Sequence, residues 1–196
     1  MESSGGSSGW TPANPAPLGL AGFAMTTFVL SMVNAKAVSP GDAPVVLGLA
    51  LVYGGIAQLL AGMWEFRKAN TFGALAFSSF GAFWLAFAAF AKFVAPGLGP
   101  DAGTATGLFL LGWTIFTAYM TIAALRTTVA ILAVFVVLTI TFALLTAGAF
   151  SGAGTVSHLG GYFGILTALL AWYASFAGVT NATFRRAVVP VIPLAR

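Results

Sequence analysis

Apolar residues run through the chain in long stretches that carry no charge: Ala43–Trp64, Ala69–Ala91, Ala102–Leu125 and Thr127–Phe184. A helix needs about 20 apolar residues to cross the hydrocarbon core of a bilayer, because each residue advances it by only about 1.5 Å. The pattern predicts six spans, at about 17–36, 44–66, 71–94, 103–125, 128–149 and 156–180. The last two share one charge-free run of 58 residues, too long for a single crossing. Gly148, Ser151, Gly152, Gly154 and Thr155 supply the turn between them, since glycine tolerates positive φ and small polar residues satisfy backbone groups at the membrane edge. The fold class expected is all-α: a polytopic membrane protein of six transmembrane helices. Residues 1–13 read as a flexible tail, 14–184 as the membrane domain and 185–196 as a basic C-terminal tail.

Composition narrows the chemistry. Of 196 residues, 59% are hydrophobic and 6% charged, where a soluble domain spends roughly a quarter on charge. No cysteine, one histidine and four acidic residues exclude disulfides and thiolate sites and leave little for metal binding or acid/base catalysis. No enzyme activity, cofactor or metal is expected, and eight scattered basic residues form no nucleic-acid stripe. Those charges are a topology signal. Arg67, Lys68, Arg126, Arg185, Arg186 and Arg196 fall on one side with the termini, against Lys36 and Lys92 on the other. The positive-inside rule puts both termini in the cytoplasm, with the protein in the cytoplasmic membrane.

Small residues mark helix contacts. Gly48, Gly55 and Gly62 recur every seven residues, and Gly103/Gly107 and Gly160/Gly164 are small-xxx-small pairs. In Asn14-Pro15-Ala16-Pro17-Leu18-Gly19-Leu20 the prolines remove donors at a helix start, where free N–H groups can face an anion. Gln58 lies within a span and needs a partner on another helix or a water. Glu65, beside Arg67 and Lys68, reads as a solvated or capping group. Helix three is dense in rings, among them Phe77, Phe80, Phe83 and Phe87. Most are packing or lipid-facing residues, and one or two suit a hydrophobic gate. Trp84, on a different face from Phe80, reads as packing. His158, with no second histidine, reads as a hydrogen-bonded structural residue. Hydroxyls at helical spacing, as in Thr114, Thr117 and Thr121, either bond their own helix or line a polar path.

The segment Asn14 to Leu20 reads NPAPLGL, and Tyr53-Gly54-Gly55, Gln58, Glu65, Asn70-Thr71-Phe72-Gly73 and Ser78-Ser79-Phe80-Gly81 form a second block. In these motifs the chain resembles the acetate uptake transporter family. The resemblance implies a homohexamer in which each protomer passes acetate and similar small monocarboxylates, with succinate accepted by some members. It also implies an apolar constriction, which falls by position on Phe23, Phe80 and Leu138. That family often has Tyr where Phe80 stands, so this constriction is expected to be drier.

The function expected is passage of small carboxylate anions through a channel-like path. Asn14, Thr26, Tyr53, Gln58 and Ser78 are the candidate polar contacts for the substrate, and lipids and sister protomers are the partners. With no deep carboxylate expected, passive permeation is favoured over proton-coupled symport. An ammonia or ammonium channel, another small-solute channel and a non-transporting membrane scaffold or sensor remain open as alternatives.

Overall fold

In the computed structural model, residues 10–194 are described; of the tail expected at 1–13, residues 1–9 lie outside them, as do 195 and 196. Six helices are long and apolar enough to cross a membrane: α1 (Ala16–Asn34), α2 (Pro44–Arg67), α3 (Thr71–Gly97), α4 (Gly99–Ala124), α5 (Val129–Ser151) and α6 (Gly154–Phe184). They match the six expected spans, α6 running beyond its expected end.

Their ends have local causes. Asn14 accepts a hydrogen bond from the Ala16 backbone N–H (3.3 Å) where α1 begins, Asn70 caps α3 through the Gly73 N–H (3.2 Å), and Thr128 caps α5 through the Ile131 N–H (3.3 Å). Each side-chain oxygen satisfies a backbone donor that the helix geometry leaves over. The expected turn between α5 and α6 closes at Gly152, whose φ of 67° lies in the left-handed region.

α1 packs chiefly on α6, α6 on α5, α5 on α4, and α2 on α3. Close packing rather than the hydrophobic effect draws helices together in lipid, because hydrocarbon chains outside are as apolar as the residues inside. Gly161 therefore meets the α1 backbone at Asn34 and Ala35, and Gly164 meets Ser31. α2 approaches α1 in the same way: a Cβ on Gly22 would stand 2.5 Å from the Tyr53 carbonyl oxygen. At that contact α2 widens into a π-helical segment, Val52–Ala57, a device that shifts the register of the side chains after it. Of the expected glycine stripe, Gly55 packs on Leu85 and Gly62 on Ser78. Gly48 departs from the stripe, because no heavy atom lies within 4 Å of where its Cβ would be.

Hydroxyls supply the rest of the interhelical contacts. Thr114 pairs with Thr146 (3.0 Å), Thr121 with Thr139 (2.9 Å) and Thr141 with Thr167 (3.2 Å). In a membrane each such bond contributes about 0.6 kcal/mol.

The C-terminal segment differs from a free basic tail. Val129 donates its N–H to the Ile192 carbonyl (2.8 Å) and Leu194 donates to the Thr127 carbonyl (2.9 Å). Asn181 accepts from the N–H groups of Val188 (2.7 Å) and Val189 (2.8 Å) and donates to the Val189 carbonyl (2.8 Å). Arg185, whose φ of 53° lies in the left-handed region, ends α6, and the backbone groups of the segment pair with the α4–α5 turn, α5 and Asn181 instead.

Gly22→Ala is expected to cost about 1–3 kcal/mol, because the added methyl would overlap backbone rather than a movable side chain. Gly48→Ala is expected to leave stability nearly unchanged. Thermal melting in detergent checks both.

Candidate functional site

Two cavities lie end to end inside the bundle. The first, about 170 Å³, opens near the α2–α3 and α4–α5 turns and is lined by residues including Gln58, Asn70, Phe72 and Thr127. The second, about 450 Å³, reaches toward the other end of the bundle and is lined by residues including Thr27, Ser31, Asn34 and Ser157. Phe23 and Leu138 line both, and Phe80 lines the first. All three side chains are buried, and the rings of Phe23 and Phe80 stand 5.5 Å apart between centroids. Phe80 is held by further rings, Phe116 at 5.4 Å, Trp113 at 5.9 Å and Phe135 at 6.1 Å. Phe23, Phe80 and Leu138, on three different helices, thus all border the first hollow, and two of them border the second as well.

The polar residues expected at the site divide. Gln58 lines the first cavity, is 1% exposed, and its Oε1 makes no hydrogen bond with protein. Asn14 sits outside both cavities at the helix start, where its Oδ1 accepts from Lys68 Nζ (2.9 Å). Thr26 is fully buried between α1 and α2, its hydroxyl donating to the Gly22 carbonyl (2.9 Å), and lines neither cavity. Tyr53 lies on the π segment with its carbonyl against Gly22, and Ser78 packs on Gly62; neither lines a cavity. Thr26, Tyr53 and Ser78 hold helices together where an exposed position in the path was expected.

Residues that were not expected to contact the substrate stand in their place, Trp84 among them, which was read as packing on another face. Thr27, one position from Thr26, lines the second cavity, and so does Trp84. Asn70 lines the first cavity while its Nδ2 donates to Glu65 Oε2 (2.8 Å). Glu65 is fully buried, in contrast to the solvated group expected, and its Oε1 has no hydrogen-bond partner. The signal was present in the turn sequence, since a cap residue five positions after a glutamate brings the amide back over the helix end. His158 is half-buried near the far end of the bundle and makes no hydrogen bond among the described residues, so the structural bond expected of it is not formed.

Both cavities are therefore walled by rings and aliphatic groups with neutral donors and acceptors interspersed. Residues 8–196 match the model of the GPR1/FUN34/yaaH family. The chain belongs to that family. It is similar to a Saccharomyces cerevisiae protein named "Ammonia transport outward protein 2", 44% identical over 93% of this chain and 66% of the relative's own length. Another is the Escherichia coli "Succinate-acetate/proton symporter SatP", 40% identical over 91% of this chain and 95% of its own. The solved "Structure of the bacterial acetate channel SatP" superposes with a TM-score of 0.86 at 38% identity, covering 92% of this chain and 99% of that one. The chain spans just under two thirds of the length of the Saccharomyces relative. At this identity and superposition, the six-helix arrangement is the fold of that channel.

Asn70→Ala removes both the α3 cap and the bond to Glu65. A lost cap costs about 1 kcal/mol and an orphaned buried acceptor adds about 1–3 kcal/mol. A drop in thermal stability of at least 2 kcal/mol, roughly, is expected, against almost none for the exposed neighbour Thr71→Ala.

Proposed function

We infer that the protein passes acetate and similar small monocarboxylates, with succinate as a further substrate, through a path inside each protomer. The observation that carries this reading is the pair of cavities separated by Phe23, Phe80 and Leu138. A short monocarboxylate has one charged end and one methyl end, and this path offers neutral hydrogen-bonding groups and aromatic rings in turn. Neutral groups bind an anion loosely, which favours release as well as entry. The likeness to the acetate channel and to the succinate-acetate symporter supports the substrate class.

The constriction works by dewetting: an apolar ring zone this narrow excludes water and with it a hydrated ion, until the rings move. In this reading the smaller cavity faces the cytoplasm. The basic residues Arg67, Lys68, Arg126, Arg185 and Arg186 all fall at its end of the bundle, as the positive-inside rule requires of the cytoplasmic side. The chain sits in the cytoplasmic membrane, and six such protomers form the homohexamer that the family resemblance implies.

A second reading, proton-coupled entry, is favoured by one observation: the buried Glu65 beside the first cavity, with one oxygen free to hold a proton. An inside-negative potential opposes each acetate anion by about 2.3 kcal/mol per 100 mV, and a proton carried along cancels that charge. Glu65→Gln distinguishes the two. Under coupling it abolishes accumulation against a gradient at fixed voltage; under passive permeation it leaves the flux and its voltage dependence in place. A third reading, export of ammonia, is supported by the name of the yeast relative.

Reconstituted protein is expected to carry acetate and, more slowly, succinate, with ammonia flux no greater than in empty vesicles. Acetate flux at the level of empty vesicles would overturn the reading in favour of ammonia transport or a scaffold. Phe80→Ala is expected to raise acetate flux severalfold and admit larger carboxylates, whereas Phe80→Tyr keeps the ring and changes less. Equal flux and selectivity for wild type and Phe80→Ala, in folded oligomer, would remove Phe80 from the path. The orientation is tested separately. The chain has no cysteine, so single cysteines at Arg67, Arg126 and Arg186 should resist an impermeant thiol reagent in intact cells, while those at Asp42 and Asp101 react.

A further inference from the structure

Charge is shared unequally between the two ends of the bundle. Among the described residues, the end onto which the smaller cavity opens carries Arg67, Lys68, Arg126, Arg185 and Arg186, all exposed. None of the five stands in an ion pair, and the acidic side chain at that end is the buried Glu65. At the end toward which the larger cavity reaches, Lys36 and Lys92 are balanced by Asp42 and Asp101. One end thus has a surplus of at least four positive charges, whichever form Glu65 takes, and the other has none. Three helix starts and three helix ends meet on each side, so the macrodipoles offset one another and side chains set the sign.

The positive-inside rule accounts for basic residues on one side of a membrane, not for their position around a cavity. Here two of them border the mouth. Arg126 precedes Thr127, which lines the smaller cavity from the α4–α5 turn. Lys68 Nζ donates to Asn14 Oδ1 (2.9 Å), and the same oxygen accepts from the N–H of Ala16 (3.3 Å), another lining residue. The ammonium therefore stands no more than two hydrogen-bond lengths from the wall. Arg67, next to Lys68, lies over the ring of Trp10, 6.0 Å from its centroid. Arg185 and Arg186 follow α6, whose Gly178 lies against Pro17 at the start of α1. Charges act over a Debye length, about 10 Å at 0.1 M salt. Lys68 and Arg126 fall within about that distance of the mouth, and the other three reinforce them in more dilute salt.

We propose that the mouth of the smaller cavity is an electrostatic funnel for anions, steered by Lys68 and Arg126, and that the path therefore rectifies. Under an applied voltage, anions enter more readily from this end than from the other. A cleft rimmed by one sign of charge between low-dielectric walls focuses the field and raises the local concentration of counter-ions. That factor is squared for a dianion, so succinate gains more than acetate, and ammonium is depleted by the same field. Neither steering residue holds the solute. The funnel sets the supply of anions to the cavity, and the rings of Phe23 and Phe80 still decide passage. With the smaller cavity facing the cytoplasm, an inside-negative voltage drives anions in the favoured direction, which is outward.

The rectification rests on the carboxylate reading above, whereas the funnel is testable without it. Thr127→Cys and Ser157→Cys place single thiols in the smaller and the larger cavity of a chain that has no cysteine. In phosphatidylcholine vesicles, whose lipids add no net charge, each is modified by an anionic and by a cationic thiosulfonate of similar size. At about 10 mM salt, where the Debye length is about 30 Å, the anionic reagent should be favoured about tenfold at Thr127→Cys over its preference for a small neutral thiol in solution. No such preference is expected at Ser157→Cys, nor at either thiol in 1 M salt, where the length is about 3 Å. Adding Lys68→Gln and Arg126→Gln should abolish it and Arg126→Lys should keep it, whereas a purely structural role would change both reagents alike. In planar bilayers with 10 mM acetate on both sides, the current of anions entering at the Thr127 end should exceed the reverse current severalfold. A symmetrical acetate current there would overturn the rectification. If wild-type protein carries no acetate, the substrate reading has failed and the reagent preference still decides the funnel. If that preference is absent at Thr127→Cys in dilute salt, or survives the two glutamine substitutions, the funnel is overturned and the path stands.

Discussion

A polar group buried in hydrocarbon has no water to fall back on, and that constraint governs the whole chain. Backbone groups answer it by forming six helices, and at three of their starts Asn14, Asn70 and Thr128 accept from a backbone donor. The buried threonines answer it by bonding the preceding turn or each other. Even the C-terminal segment answers it, returning to the α4–α5 turn and to Asn181 for partners. Against this background the groups left unsatisfied are conspicuous. Gln58, Thr27 and Trp84 line the two cavities, Glu65 lies behind Asn70 at the wall of the smaller one, and Ser78, packed on Gly62, lies at a helix contact away from both.

The same constraint accounts for the aromatic character of the constriction we propose. Among the described residues no lysine or arginine is buried, so the path we propose holds an anion loosely and its control lies in wetting rather than in charge. Phe80 is suited to that work because it is braced from several sides by Phe23, Phe116, Trp113 and Phe135. A ring so braced has a defined shut position, while its neighbours, being rings themselves, can slide without breaking hydrogen bonds. Glycines keep the scaffold around it close. Gly22 and Gly161 let α1 lie against α2 and α6, which fixes Phe23 opposite Phe80.

The spans were legible because crossing a bilayer demands a length of apolar chain that no other fold requires, and the turn at Gly152 because only its backbone freedom breaks a 58-residue run. Which face of a helix looks inward was much less legible. Helix spacing groups Thr26 with Thr27 to within a fraction of a turn, and only the packing of α1 against the π segment of α2 turns Thr26 into the interface and Thr27 toward the cavity. The π segment also blurs the periodicity on which the stripe of Gly48, Gly55 and Gly62 was read, and Gly48 falls outside the contact. Glu65 was misjudged because the basic residues beside it suggested water, whereas Asn70 folds back over it. Of the positions that the family resemblance nominates, the rings of Phe23 and Phe80 are in contact, and Leu138 lines the same cavity.

The central claim is that solute passes between Phe23, Phe80 and Leu138, and a thiol placed there tests it most directly. A chain without cysteines allows Leu138→Cys to be the only reactive site. Small thiol reagents should then block acetate flux in proteoliposomes, and saturating acetate should slow the modification. Complete modification, verified by mass, with acetate flux unchanged would show that the solute travels elsewhere.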